Sequence, residues 1–273
     1  MERRHETQSF HEFGTGQPVV FLHPTPLDHR YWLPVAERLT GIRAILVDLR
    51  GHGRSELGEC LPVGGFVRVP DAPVLEMSQY AADVLGILDA LEIERAVFAG
   101  CSIGGYVMMD LWRRAPGRMG GIALVCSKPQ PDAEANLAKR AENIAKVRRE
   151  GTAGFFDGSA QSLVSASARA KRPETVKEVR AFMTPTVEGV VAVQAGLGTR
   201  PDSVPTVATI TVPVLAIAGG EDPTTSPAEM EAYKAAPGGC EFHALMDGGH
   251  FAAYEQPERV AGWLGEWLKQ FAA

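Results

Sequence analysis

The sequence predicts an α/β protein with a mostly parallel β-sheet, flanking helices and an inserted all-helical segment. Six short runs rich in β-branched and aromatic residues alternate with helix-like segments. The strand-like runs are almost continuously apolar, which is typical of strands buried on both faces. The alternation stops between residues 127 and 211, where only helical spacing is found. Such a pattern places helices on both faces of a parallel sheet.

Each predicted element is bounded by turn residues. The predicted strands are residues 19–23, 43–48, 96–101, 121–126, 212–218 and 241–245. The predicted helices between and after them are residues 31–39, 77–91, 105–114, 228–235 and 259–271.

The middle segment carries apolar residues at helical spacing. Leu137, Ala141, Ile144 and Val147 follow one such pattern. We therefore predict a helical cap at 127–211, inserted into a core formed by 1–126 and 212–273. Because the segment starts just after one strand and ends just before the next, we expect it to cover the strand ends as a lid. The alternative is a set of extra surface helices.

Composition indicates an ordinary globular protein. The 273 residues are 45% hydrophobic and 22% charged, and the net charge is −6. This mild acidity argues against nucleic acid or an anionic membrane as the main partner. The charged start of the chain is followed by no signal-like apolar run, and no segment has membrane-spanning length. We expect a cytoplasmic protein, either a monomer or a homodimer.

The cysteines predict neither a metal site nor a disulfide framework. Cys60, Cys101, Cys126 and Cys240 are scattered without the spacing of metal ligands. We expect reduced thiols and no bound metal.

The most informative motif is Gly100-Cys101-Ser102-Ile103-Gly104, which lies between a predicted strand and a predicted helix. This context is typical of a nucleophile elbow, a sharp turn that exposes a serine hydroxyl and needs small neighbours. Ser102 is the predicted nucleophile. The amide of Ile103, at the helix start, is predicted to stabilise an oxyanion.

A serine hydroxyl needs a general base, and the base needs an orienting carboxylate. His250 follows the last predicted strand and is the predicted base. Asp222 follows the preceding strand and is the predicted acid, which gives the chain order serine, acid, histidine. Glu221 and Asp247 are the alternative acids.

The second oxyanion donor is expected in the loop after the first predicted strand. Pro24 and Pro26 have no N–H to donate, so the amide of Thr25 is the predicted donor. We expect His23 to brace this loop rather than to act as a base.

Two further stretches have less definite roles. Residues 48–55 form a polar turn after a strand but lack the pattern of a phosphate-binding loop. The stretch from Glu56 to Glu76 is rich in Gly, Pro and Val, and either lines the substrate entrance or is a surface excursion.

Together these motifs resemble the α/β-hydrolase superfamily over essentially the full chain. The residues on which this resemblance rests are His23 to Pro26, Asp48 to Ser55, Gly100 to Gly105, Gly219 to Pro227, and Gly248 to His250 with Glu255 to Glu258. The chain looks most like the capped carboxylesterases and the 3-oxoadipate enol-lactonase-like hydrolases. The resemblance implies Ser102, Asp222 and His250 as a catalytic triad, Thr25 and Ile103 as oxyanion donors, and no cofactor. Pro24 stands where the superfamily usually has glycine.

The predicted function is hydrolysis of a small to medium carboxylic ester or lactone through an acyl-enzyme. Phe155, Phe156 and Phe182 of the predicted cap are candidate pocket residues. The alternatives with the same triad are a cofactor-free perhydrolase or haloperoxidase and a carbon–carbon bond hydrolase. An alternative of another class is a small-molecule receptor on a hydrolase fold.

Overall fold

A computed structural model describes residues 1–60 and 65–271. Its centre is one eight-stranded sheet with the order β1-β2-β4-β3-β5-β6-β7-β8. The strands are β1 Glu2–His5, β2 Gln8–Gly14, β3 Gln17–Leu22, β4 Ile42–Val47, β5 Ala96–Cys101, β6 Met119–Val125, β7 Val214–Gly219 and β8 Cys240–Leu245. All pairings from β4 to β8 are parallel, whereas β2 pairs antiparallel with both β1 and β4.

Helices connect the parallel strands. They are α1 Leu33–Ala36, α2 Met77–Ala90, α3 Ile103–Arg114, α4 Glu134–Glu150, α5 Ala153–Leu163, α6 Ala166–Lys171, α7 Glu174–Ala181, α8 Val187–Gly198, α9 Val204–Val207, α10 Pro227–Met230, α11 Ala252–Glu255 and α12 Pro257–Leu268. None of the described residues belongs to a helix that is long and apolar enough to cross a membrane.

The predicted α/β class with a mostly parallel sheet is confirmed. All six predicted strands are present within a few residues of their predicted ends. The sequence reading missed β1 and β2 because their residues are polar or mixed and lie toward the sheet edge, so they carry no continuous apolar run. The predicted helix at 31–39 is shorter, a single 3₁₀ turn at His29–Tyr31 followed by α1.

The sheet separates two apolar layers. Along β5, Phe98 packs on one face with α2 and α3, and Val97 and Ala99 pack on the other with α1 and α12. Alternate residues of a strand point to opposite faces, so a strand buried on both sides must be apolar throughout. This arrangement leaves the loops at the carboxyl ends of the strands as the place for polar chemistry.

Residues 127–211, all of which the structure describes, contain α4 to α9 and no strand. Here α4 packs on α8, with Ile144 of α4 among Val191 and Ala195 of α8. Phe66 and Val74 join this cluster, and the Leu75 amide donates to the Ala192 carbonyl at 3.1 Å.

The stretch from Glu56 to Glu76 therefore supports α4 and α8 in the part that is described. Its residues 61–64 lie outside the described residues. None of its described residues lines the cavity that holds Ser102.

Candidate active site

The candidate residues follow the carboxyl ends of four strands in the same sheet. Thr25 comes after β3, Ser102 after β5, Asp222 after β7 and His250 after β8. Parallel strands end at one edge of a sheet, so residues far apart in the chain meet there. Thr25, Ser102 and His250 line a single cavity of about 600 Å³.

The backbone of Ser102 has a conformation that side chains rarely adopt, with φ 53° and ψ −117°. Close packing holds this turn. A Cβ on Gly104 would lie 2.3 Å from the Leu22 carbonyl oxygen, and a Cβ on Gly105 would lie 2.1 Å from Ser127 Oγ. Ser127 Oγ also donates to the Ser102 carbonyl at 2.8 Å. The glycines are thus needed for close approach, as expected of a nucleophile elbow.

His250 and Asp222 form a buried pair. His250 Nδ1 lies 2.8 Å from Asp222 Oδ2, and the Asp222 side chain is fully shielded from solvent. The other carboxylate oxygen, Oδ1, accepts from the Thr224 amide and hydroxyl, both at 2.8 Å, and from the Thr225 amide at 3.2 Å. Burial would raise the pKa of Asp222, but His250 and Thr224 outweigh it and hold this pKa below its ordinary value.

The two alternative acids contact other groups. Glu221 accepts from the amide and hydroxyl of Ser167 at the start of α6. Asp247 pairs with Lys171 and Arg259 at the surface. Since Asp222 alone of the three carboxylates is bonded to His250 in the described part of the chain, it is the one placed to orient the imidazole.

Ser102 and His250 share the cavity, but no hydrogen bond joins their side chains among the described residues. A long nucleophile–base contact is common in sites without substrate and tightens when substrate binds. The remaining ring nitrogen of His250, Nε2, is free of protein partners within the described residues, since Nδ1 carries the contacts to Asp222 and Thr224.

The amides of Thr25 and Ile103 donate to no backbone or side-chain acceptor among the residues that the structure describes. They are thus available for an anion in the cavity. Two buried histidines hold the Thr25 loop. His52 Nε2 lies 2.8 Å from Thr25 Oγ1, and His23 Nε2 accepts from the Leu49 amide at 2.9 Å. His23 therefore braces the loop by hydrogen bonds.

Only one of the three candidate phenylalanines lines the cavity. Phe155 does so, whereas Phe156 is buried in the core with the Arg180 guanidinium over its ring. Consecutive residues of a helix point about 100° apart, so one of the pair faces the cavity and the other faces away. Phe182 follows α7 and packs edge-on against Tyr254. Phe156 and Phe182 are therefore not among the residues that line this cavity.

Glu255 is a site residue that the sequence reading did not identify as functional. Its buried carboxylate accepts from the Gly249 amide at 3.0 Å and from the Ser165 amide at 3.3 Å. The His250 amide donates to the Leu163 carbonyl at 2.9 Å. These bonds attach the loop that carries His250 to the end of α5. No local pattern could reveal the bonds to Ser165 and Leu163, because their partners are about 90 residues apart.

A second missed feature is the part of the cavity lining that α4 provides. Polar and cationic residues of α4 form it instead of the expected aromatic residues. The signal was available in the sequence, since polar residues recur at helical spacing between the apolar ones that we used to predict α4.

One group of potential metal ligands occurs within residues 1–60 and 65–271. Asp28, His29 and Asp48 bring one ligand atom each within 4.8 Å of one another. Both oxygens of Asp28 already accept from Arg30, and Asp48 Oδ1 is bonded to His29 Nδ1 at 2.8 Å. Asp28, His29 and Asp48 are therefore part of an ion-pair network that anchors the loop after β3.

Comparisons with known proteins place the chain among enzymes of related architecture. It is 28% identical over 243 residues to 3-oxoadipate enol-lactonase 1 of Acinetobacter baylyi, covering 88% of this chain and 84% of that protein. It is 27% identical over 269 residues to 2-succinyl-6-hydroxy-2,4-cyclohexadiene-1-carboxylate synthase of Salmonella heidelberg, covering 93% and 96%.

A solved structure agrees over nearly the whole molecule. The thermophilic esterase from Thermogutta terrifontis, determined with malate bound, superposes with a TM-score of 0.87 at 31% identity, covering 97% of this chain and 94% of that one. The sequence profile of the family described as "Alpha/beta hydrolase family" matches residues 19–263. With the elbow, the sheet order and this match together, the chain belongs to the alpha/beta hydrolase family.

Proposed function

We propose that this protein hydrolyses a carboxylic ester or lactone of small to medium size through an acyl-enzyme. The observation that carries the proposal is the sharing of one cavity by Ser102, on its strained turn, and His250, bonded to Asp222. The enol-lactonase and esterase relatives support it.

In the proposed mechanism, His250 Nε2 takes the proton of Ser102 Oγ as this oxygen attacks the carbonyl carbon. The amides of Thr25 and Ile103 stabilise the oxyanion. Asp222 keeps the Nδ1 proton in place and stabilises the imidazolium. The imidazolium protonates the leaving oxygen, and a water activated by the same histidine then releases the acid.

The cavity volume supports the proposed substrate size. About 600 Å³ is within the range of small-molecule sites. Residues of α4 and α5 line the same cavity as Ser102 and His250, so we propose that residues 127–211 act as a cap over the substrate.

A Ser102→Ala variant tests the proposal. We expect it to fold normally and to lose most turnover, by about 10⁶-fold in kcat, on a panel of p-nitrophenyl esters and lactones, because the nucleophile is removed. Thermal unfolding would show that the fold is retained. Equal rates for the variant and the wild type on every cleaved substrate would contradict the proposal.

A second candidate is carbon–carbon bond hydrolysis, because such hydrolases use the same serine, histidine and acid and differ in pocket shape. A vinylogous diketone substrate distinguishes it from ester hydrolysis. Ser102-dependent cleavage of the diketone without ester turnover would favour this second candidate. Assays with acetate and peroxide test the perhydrolase alternative in the same way.

A further inference from the structure

One wall of the cavity is unusually rich in cationic and amide side chains. It is formed by one face of α4, which we call the α4 wall, and its residues are Asn136, Lys139, Arg140, Asn143 and Lys146. They recur every three or four positions, as expected of one helix face. The neighbouring face of α4, which carries Leu137, Ala141 and Ile144, packs on α8. The polar face is therefore turned to the cavity by the burial of the apolar one.

The charge at the inner end of this wall is not balanced. Asp132 accepts from both Arg140 and Arg200, and its bond to Arg200 is 2.5 Å long. The side chains of Asp132 and Arg200 are each 3% exposed, and the Arg200 guanidinium lies 4.3 Å from the centre of the Tyr106 ring. Two guanidinium groups thus share one carboxylate. One positive charge is left over, and it lies at the cavity because Arg140, the more exposed of the two guanidinium groups, lines it.

The other cations of the cavity differ in their pairing. Lys128 is neutralised by Glu229 at 2.5 Å, and Lys139 pairs with Glu142 at 3.2 Å. Lys146 lines the cavity and has no ion-pair partner within the part of the chain that is described. The α4 wall therefore carries a surplus of positive charge, from Arg140, which shares Asp132 with Arg200, and from Lys146.

Hydrogen-bond donors accompany these charges. Arg140 Nη1 and Asn143 Nδ2 both approach Gln194 Oε1, at 3.5 and 3.4 Å, so their groups lie close together on the wall. A planar guanidinium beside a carboxamide suits a carboxylate, which accepts several hydrogen bonds in one plane. A single negative charge would match the single surplus charge of the group formed by Arg140, Arg200 and Asp132.

We propose that the α4 wall is an anion subsite that binds a carboxylate group of the substrate, with Arg140 as its main ligand and Lys146 as a second cation. The inference rests on the proposed function, because it specifies the ester or lactone as one that carries a free carboxylate. Ser102 attacks one carbonyl of such a substrate while the α4 wall holds its carboxylate. The subsite is thus a specificity determinant on the insertion, separate from the reacting groups on the core.

Two variants and a matched control test this subsite. Arg140→Gln removes the surplus charge and leaves Asp132 paired with Arg200, so the buried carboxylate stays compensated. Lys146→Met removes an exposed charge and leaves the buried core untouched. Arg149→Gln is the control, because Arg149 lies on the same helix, outside the cavity lining, and pairs with the neighbouring Glu150.

The probes are the mono-p-nitrophenyl ester of pimelic acid and its terminal amide, which differ in charge but not in size. We expect the wild type to prefer the acid in kcat/KM. Arg140→Gln should lower this preference by roughly 10-fold to 100-fold, since hydrogen bonds to a charged group are among the stronger ones. Lys146→Met should lower it by roughly 2-fold to 5-fold, and Arg149→Gln should leave it unchanged.

A binding measurement keeps this test independent of turnover. Calorimetric titration of the Ser102→Ala protein with pimelate and with pimelamide should show tighter binding of pimelate, and Arg140→Gln in that background should abolish the difference. Equal binding of the two compounds, or equal effects of Arg140→Gln and Arg149→Gln, would overturn the subsite. Ser102-dependent cleavage of neutral esters would then still support the proposed function. Conversely, preferential binding of pimelate without any ester turnover would support the subsite and contradict the proposed function.

Discussion

At the scale of single residues, the geometry of the candidate triad depends on how Asp222 is held. Three donors from Thr224 and Thr225 occupy one carboxylate oxygen and leave the other for His250. The sequence predicts Asp222 as the acid in this loop and leaves Glu221 as an alternative, since both follow β7. In the structure, the Asp222 side chain contacts His250, whereas the Glu221 side chain accepts from Ser167.

We predict that Asp222→Asn lowers kcat by about 10⁴-fold, because the amide would favour the wrong tautomer of His250. Steady-state kinetics on a p-nitrophenyl ester measures this loss. Glu221→Gln is the matched control and should change kcat by less than about 10-fold. A larger loss in Glu221→Gln than in Asp222→Asn would reassign the acid.

At the scale of elements, close approach between helices and strands determines where glycine is required. A Cβ on Gly196 in α8 would lie 1.8 Å from the Leu75 carbonyl oxygen. A Cβ on Gly262 in α12 would meet nothing within 4 Å. Both glycines are in helices, so helix propensity alone would favour alanine at each. At Gly196 the close approach of the Leu75 carbonyl outweighs this preference, so alanine is unfavourable there.

We predict opposite stability changes for these two glycines. Gly196→Ala should destabilise the fold by about 2–3 kcal/mol, since the backbone of residue 75 must move. Gly262→Ala should stabilise it by about 0.5–1 kcal/mol. Urea unfolding of both variants measures the free energies of unfolding. Changes of the same sign would mean that the contact at Gly196 does not constrain α8.

At the scale of the whole molecule, the loop that carries Thr25 depends on histidines kept neutral by burial. Burial lowers the pKa of His23 from 6.5 to about 4 and that of His52 from 6.5 to about 3. In the unfolded chain both rings take up protons below about pH 6.5, whereas in the folded protein they stay neutral until much lower pH. The unfolded state therefore binds more protons in this window, and folding stability is lost as the pH falls.

We predict that the free energy of unfolding decreases steadily between pH 6.5 and pH 4, with His23 alone contributing about 3 kcal/mol of the loss. The His23→Gln variant should be less stable than the wild type at pH 7, because Pro24 and Leu49 lose their ring partner. It should also lose less stability on acidification. Urea unfolding at a series of pH values compares the two slopes, and equal slopes would exclude His23 as a source of the pH dependence.

Hydrogen bonds also connect residues 127–211 to the rest of the molecule. Glu255 joins the His250 loop to Ser165, and the Leu163 carbonyl accepts from the His250 amide. Thus the helices at 127–211 contribute to holding the proposed base as well as to the cavity wall.

The sequence by itself determined the α/β class, the six central strands and the chain order of the candidate triad. It could do so because buried parallel strands require continuous apolar runs, and because the turn at Ser102 requires glycine at fixed local positions. These constraints act within a few residues, so they are visible as local patterns. The polar strands β1 and β2, near the edge, obey no such local constraint and were missed.

Only the tertiary structure decided which side chains meet across long sequence separations. It brought Asp222 rather than Glu221 to His250, turned Phe155 but not Phe156 toward the cavity, and placed Arg140 and Arg200 on one carboxylate. Each of these outcomes depends on how helices pack on the sheet, and a side chain's direction follows from that packing rather than from its neighbours in sequence. The charge balance inside the cavity is therefore a property of the folded molecule.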